Sequence, residues 1–162
     1  MIFVTVGAQM PFDLLIKTVD QWAREHGRED VFAQIGLTDY RPTNIQWTTF
    51  LSTEEFKQRY EAASVIIAYA GTGSIITALQ LGKPILIMPR RASLRETRNV
   101  HQVATAEQFR RFDSVLVALD EKELITRLEG IDNLRGRQSI EPYASRELVE
   151  AIREFIDDVE FV

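Results

Sequence analysis

Cysteine is absent from the chain. That excludes a disulfide scaffold, a thiolate metal site and a cysteine nucleophile, and it suits a reducing compartment. Histidine is nearly absent: His26 and His101 are the only two, too few for a His-rich metal centre. Positive charge is in deficit, with 19 Lys and Arg against 24 Asp and Glu, a net charge of −5 and a pI near 5.1. No general affinity for nucleic acid is therefore expected. No apolar run reaches the roughly 20 residues of a membrane span. The opening MIFVTVGAQ lacks a basic leading segment, and its apolar run is too short for a signal peptide. It reads as a buried strand, so a soluble chain is expected, with a peripheral or partner-mediated membrane role left open. What is present suffices for a core: 162 residues, of which 45% are hydrophobic. At that length a chain buries roughly 70% of its unfolded surface without staples, and a single domain over 1–162 is expected.

Apolar segments of two periodicities alternate along the chain. Residues 2–6 (IFVTV) are an unbroken run suited to a strand buried on both faces. Gly7 breaks it, Pro11 stands where a helix can start, and Leu15, Val19 and Trp22 recur at helical spacing until Gly27. Residues 31–35 and 45–50 are candidate strands around a polar turn. The stretch 53–63 reads as a helix capped by Ser52 or Thr53, with Glu54 or Glu55 in its first turn. Val65–Tyr69 is a further buried strand, followed by Ala70-Gly71-Thr72-Gly73-Ser74 and an apolar helix over 75–81. Strands over 84–88 and 115–118, helices over 99–112 and 120–130, and a closing amphipathic helix from about 142 to 160 complete the pattern. Alternation of this kind predicts an α/β fold: a Rossmann-like parallel sheet with helices on both faces.

Charge is uneven. Between Lys83 and Phe112 stand Lys83, Arg90, Arg91, Arg95, Arg98, Arg110 and Arg111 against Glu96 and Glu107, a local +5 that leaves −10 for the remainder. A charge run is commonly a solvated face. The alternative is an anion site, because loops at the carboxyl ends of parallel strands converge on one crevice, and this alternative is favoured here.

The AGTGS turn is the strongest local signal. It joins a strand to a helix N-terminus, where backbone N–H groups and the dipole attract phosphate. Gly71 and Gly73 permit close approach, and Thr72 and Ser74 add hydroxyls. No Gly-Lys-Ser/Thr follows, so it is not a Walker loop. Ile76 stands where the third glycine of a dinucleotide fingerprint belongs. Gly7-Ala8-Gln9 is a second, weaker turn of the same kind. His101, in RNVHQ, could be a base, a phosphate partner or a polar helix start. No Ser-His-Asp or paired-carboxylate constellation can be assembled, which suggests that part of the chemistry lies elsewhere.

Three segments, FVTVG at 3–7, AGTGSIITALQLGKPILIMP at 70–89 and NVHQVATA at 99–106, together resemble the nucleotide-sugar-binding half of a GT-B glycosyltransferase of the family 28 type. They resemble still more the small donor-binding subunits of split transferases: the catalytic subunit of the dolichol-pathway UDP-GlcNAc transferase, and bacterial exopolysaccharide glycosyl- or glucuronosyltransferase subunits. The resemblance spans roughly residues 1–112 and implies the fold of the C-terminal half of a GT-B enzyme. It implies that Gly71, Thr72, Gly73 and Ser74 hold the donor diphosphate, and that the backbone at Phe50-Leu51 meets uracil. It further implies that His101 and Gln102 lie at the sugar, and that Gly7, Ala8 and Gln9 face the interdomain cleft. Many family members carry a glutamate for the ribose where this chain has Thr77, a small hydroxyl shared with the exopolysaccharide branch.

The reading that follows is an enzyme subunit transferring a sugar from a UDP-sugar to a lipid-linked acceptor. It uses neither cofactor nor metal, and Arg90 and Arg91 join the donor contacts. His101 is the candidate catalytic residue unless the base lies on the partner. That partner would be a membrane-associated acceptor-binding subunit, holding this chain in the cytoplasm at the membrane periphery. In isolation the chain could form a homodimer through its cleft face or its last helix. A non-catalytic accessory subunit, favoured by Thr77, and an unrelated nucleotide or phosphosugar binder are the alternatives. Residues 90–98, with four arginines and no apolar periodicity, are expected to be mobile until the partner docks.

Overall fold

The computed structural model describes residues 1–91, 101–136, 150 and 153. The elements alternate as β1 (Ile2–Thr5), α1 (Asp13–Glu25), β2 (Val31–Gln34), β3 (Gln46–Thr48), α2 (Thr53–Ala62), β4 (Val65–Tyr69), α3 (Thr72–Gln80), β5 (Ile85–Met88), α4 (His101–Phe109), β6 (Val115–Val117) and α5 (Glu121–Glu129), then a 3₁₀ turn at Ile131–Asn133. The strands form one parallel sheet in the order β3-β2-β1-β4-β5-β6. Chain order reverses direction between β1 and β4, which are paired with Thr5 beside Ala68. In an open α/β sheet a ligand crevice opens outside the carboxyl ends of the strands at such a switch point. The turns at Gly7 and Gly71 are the two segments that leave β1 and β4 there.

Alternation along each strand divides the core. Ile2, Val4, Ile67, Leu86 and Met88 join α1 and α5 on one face through Leu15, Val19, Trp22, Leu124 and Leu128. Phe3, Ile66, Ala68, Ile85 and Ile87 join α2, α3 and α4 on the other through Tyr60, Ile75, Leu79 and Ala106. Each buried aliphatic side chain contributes about 1.5–3 kcal/mol, so both faces are strongly held. Helix α2 starts on a capping box: Ser52 accepts from Glu55 N–H while the Glu55 carboxylate accepts from Ser52 N–H. Among the described residues no helix is long and apolar enough to cross a membrane.

Two boundaries differ from the sequence reading. The helix expected over 75–81 begins at Thr72, because Gly71 is still extended (φ −92°, ψ 127°) and the next residues are already helical. Thr-Gly-Ser carries no apolar periodicity to reveal that turn. The strand expected over 45–50 is limited to Gln46–Thr48, with Phe50 exposed at the rim. The expected closing helix lies outside the described residues save for Glu150 and Arg153, both helical.

Candidate functional site

The site is built from loops at the switch point. Helix α3 follows β4 directly, and no side chain caps it at Gly71. The first N–H groups of a helix lack intrahelical partners, so the turn presents them with the positive end of the dipole. Ile75 N–H is the first to bond back, to Gly71 O at 3.1 Å. Thr72 and Gly73 are exposed and Ser74 is half-buried. A Cβ on Gly73 would meet nothing within 4 Å, whereas one on Gly71 would overlap the Tyr69 ring. The same ring limits the first loop: Gly7 has φ +75°, and a Cβ there would lie 2.9 Å from Tyr69 Cε1. Tyr69, the last residue of β4, thus lies under both glycine turns and requires a glycine in each.

The segment at Leu51 reaches the site through a buried amide. Gln34, 5% exposed at the end of β2, accepts Leu51 N–H on Oε1 at 3.1 Å and donates from Nε2 to Gly7 O at 3.4 Å. Leu51 N–H is therefore spent inside the protein, and any backbone contact to a base there falls to other groups of the 50–51 segment. Thr77 donates its hydroxyl to Gly73 O at 2.8 Å, which leaves it only lone pairs for a ribose hydroxyl.

The basic stretch does not converge as the charge count implied. Helix-to-strand turns of a parallel sheet lie at the opposite edge from strand-to-helix turns. Lys83, just before β5, donates from Nζ to Glu61 O at 2.6 Å and Ala63 O at 2.9 Å, closing the carboxyl end of α2. Arg110 and Arg111 follow α4 and belong to that same far edge, Arg110 pairing with Glu107. Arg95 and Arg98 lie outside the described residues, as does the expectation of mobility for that stretch.

Arg90 belongs to the carboxyl edge, but it is 4% exposed and turned inward. Its guanidinium donates to Val6 O at 2.6 Å and Met10 O at 2.5 Å and lies 4.7 Å from the Tyr69 ring centroid. A direct contact from this side chain to a donor phosphate is corrected to a place beneath the first loop. Arg91, the next residue, is half-buried. Gln102 joins the site through Arg90, whose N–H donates to Gln102 Oε1 at 3.0 Å. His101, one residue earlier, is exposed, and its carbonyl accepts from Thr105. Ala8 and Gln9 are exposed at the tip of the first loop. Gln34 and Tyr69 were missed by sequence reasoning. A lone amide inside VFAQI and an aromatic immediately before a glycine turn were the available signals.

Beside this crevice a groove of about 400 Å³ is lined by Pro11, Asp13, Leu37, Thr38, Arg41 and Thr49. Asp13 and Thr38 are bonded to each other at 2.5 Å and Arg41 to the Thr38 carbonyl, so its polar groups are largely engaged internally.

With this geometry in hand, the family is decided by one match: the glycosyltransferase family 28 C-terminal domain aligns with residues 1–156. The chain belongs to that family. It is 26% identical over 140 residues to the UDP-N-acetylglucosamine transferase subunit ALG13 of Yarrowia lipolytica, covering 74% of this chain and 65% of that protein. The chain thus spans less than two thirds of the length of that curated relative. Among solved structures, MurG of Acinetobacter baumannii superposes with a TM-score of 0.65 at 17% identity, over 94% of this chain and 49% of MurG. The solution structure of ALG13 superposes with a TM-score of 0.59 at 20% identity, over 93% of both chains. This family 28 domain therefore has the fold of the C-terminal half of GT-B glycosyltransferases.

Proposed function

We propose that this chain is the UDP-sugar-binding subunit of a two-component glycosyltransferase and needs a second, acceptor-binding chain for turnover. The observation that carries the reading is the uncapped α3 N-terminus at the switch point, with Gly73 open to the crevice. Together with family 28 membership, it supports a site for the donor diphosphate at 71–74, with uracil at the 50–51 segment beside it. The helix dipole stabilises negative charge on the departing UDP as the sugar–phosphate bond breaks. No cofactor enters beyond the sugar nucleotide. Gln102 serves the sugar, and the base that deprotonates the acceptor comes from the partner or from His101.

Two of the relatives named above are ALG13 proteins, one of them a transferase subunit by name, and the domain corresponds to about half of MurG. The subunit name favours a second chain that supplies the acceptor-binding half. A membrane-associated partner, a lipid-linked acceptor, hexosyl or glucuronosyl transfer and a role in exopolysaccharide synthesis extend the same proposal. So does a cytoplasmic place at the membrane periphery.

The test is titration of the purified chain with UDP, UDP-glucose, UDP-glucuronate and UDP-GlcNAc, with ADP as control, followed by transfer assays with and without the partner. Saturable uridine-specific binding with turnover only in the complex is expected. A second reading, an accessory subunit without a donor site, draws on the Thr77 hydroxyl being engaged by Gly73 O. It requires no uridine-specific binding by the isolated chain.

A further inference from the structure

Burying a guanidinium costs free energy unless its donors are satisfied, and an apolar side chain could fill the same space. What arginine adds is a rigid planar fork of N–H donors. At Arg90 a single nitrogen of that group, Nη2, donates to the carbonyls of both Val6 and Met10, which bracket the three residues Gly7-Ala8-Gln9. Two further bonds fix the base of this loop: Gly7 N–H donates to Thr5 Oγ1 at 3.1 Å and Gly7 O accepts from Gln34. The guanidinium also lies 5.2 Å from the Phe12 ring centroid and 4.7 Å from that of Tyr69, distances at which a cation is attracted to an aromatic face. The Tyr69 ring in turn sits against both Gly7 and Gly71. Finally, the backbone N–H of Arg90 can only donate, so Gln102 must offer Oε1 to it. The Gln102 amide orientation is thereby set, and Nε2 is left as the donating end.

We propose that Arg90 is the positioning residue of this site. It locks the exposed 7–9 loop, the glycine turn at 71–74 and the start of α4 into one geometry without itself touching the donor. The proposal rests on the reading of 71–74 as the diphosphate turn only for its functional consequence; the clamp itself is a property of the empty chain. Its physical content is that the two loops respond together. When the fork is removed, the first loop loses both bracketing bonds and Tyr69 loses its cationic neighbour. The ring can then shift toward either glycine turn. A lysine at this position keeps the charge but carries it on a flexible stem, without the flat guanidinium that holds Nη2 at both carbonyls and lies beside the Phe12 and Tyr69 rings.

The test is amide hydrogen exchange on the full chain, first without nucleotide and then with UDP, for wild type, Arg90→Leu and Arg90→Lys. Without nucleotide, exchange in residues 7–10 and 71–74 is expected to rise together by at least about tenfold in Arg90→Leu, with β1 and β4 unchanged. Arg90→Lys, which guards against a leucine variant that fails to fold, should show the same pattern at smaller amplitude. With UDP, wild type should gain protection at 7–10 as well as at 71–74, and Arg90→Leu at 71–74 only. Unchanged exchange at 7–10 in both variants would overturn the proposal. So would a rise spread evenly over the sheet, which would mark Arg90 as ordinary core. Absence of UDP binding by wild type would sink the proposed function instead, and the nucleotide-free comparison would still decide the clamp.

Discussion

The two edges of the sheet are built from different materials. At the amino edge ion pairs cluster. Arg28, 19% exposed, bonds Asp30 at 2.8 Å and Asp132 at 2.7 Å; His26 bonds Glu129 at 3.1 Å; Lys83 closes α2. The Arg28 and His26 pairs are side-chain contacts near the surface, each modest and replaceable, whereas Lys83 reaches backbone carbonyls. The carboxyl edge is assembled from backbone carbonyls, two glycines that a single tyrosine ring requires, a buried amide and a buried guanidinium. Few atoms there can be exchanged without moving another loop. The difference suggests a division of labour, with the amino edge serving stability and the carboxyl edge geometry.

Substitutions at the two edges should therefore separate binding from stability. The largest effect is expected at Gly71. An alanine there forces the Tyr69 ring off its place between the glycine turns, so UDP affinity measured by calorimetry should fall at least about 100-fold, near 2.7 kcal/mol. Stability should fall with it by about 1–3 kcal/mol. Gly73→Val sharpens the contrast within one turn. Its Cβ enters open space, so UDP affinity should fall more than about tenfold while the melting temperature moves by no more than about 3 °C. Equal UDP affinity in that variant would remove the diphosphate assignment.

Arg28→Leu at the other edge should do the reverse. Loss of the paired bonds to Asp30 and Asp132 is expected to cost about 1–2 kcal/mol, or roughly 3–6 °C in thermal unfolding. UDP affinity should stay within about twofold.

The smallest effect is a pH dependence at His26. Its hydrogen bond to the Trp22 carbonyl, and then Glu129, raise its pKa above 6.5. A raised folded pKa means that the charged form stabilises the fold below the unfolded value, and that this contribution is lost as pH rises through the folded value. Between about pH 6 and about pH 8, wild type should lose on the order of 1 °C relative to His26→Gln. Parallel melting curves for the two proteins would contradict this.

The order of elements was legible in the sequence because buried parallel strands such as IFVT and VIIAY carry an unmistakable apolar signature, and the helices between them carry another. The glycine turn was legible for the same reason: it interrupts the longest of those strands. The strand-to-helix boundary at Thr72 was not, since small residues carry no periodicity. Arg90 was misread because a run of basic residues in the sequence does not reveal which of them the sheet turns inward, and Lys83 because nothing local says which edge it faces. Gln34 and Asp20 were overlooked for a related reason. A polar residue among apolar ones looks like an outward position until a loop from elsewhere closes over it. At Asp20 the loop is 40–44: Tyr40 OH donates at 2.8 Å and Asn44 N–H at 2.8 Å to this buried carboxylate, and burial, followed by the Asp20 contact, pushes the Tyr40 phenol up to about 12.

The central claim is that the carboxyl edge holds the nucleotide of a sugar donor. Calorimetric titration of the isolated wild-type chain with UDP, run beside ADP and beside the Gly73→Val variant, tests it most directly. The account expects saturable binding of UDP, at least about tenfold weaker binding of ADP, and more than about tenfold weaker UDP binding in Gly73→Val with an unchanged fold. Equal binding of UDP and ADP, or UDP affinity unchanged in Gly73→Val, would contradict it.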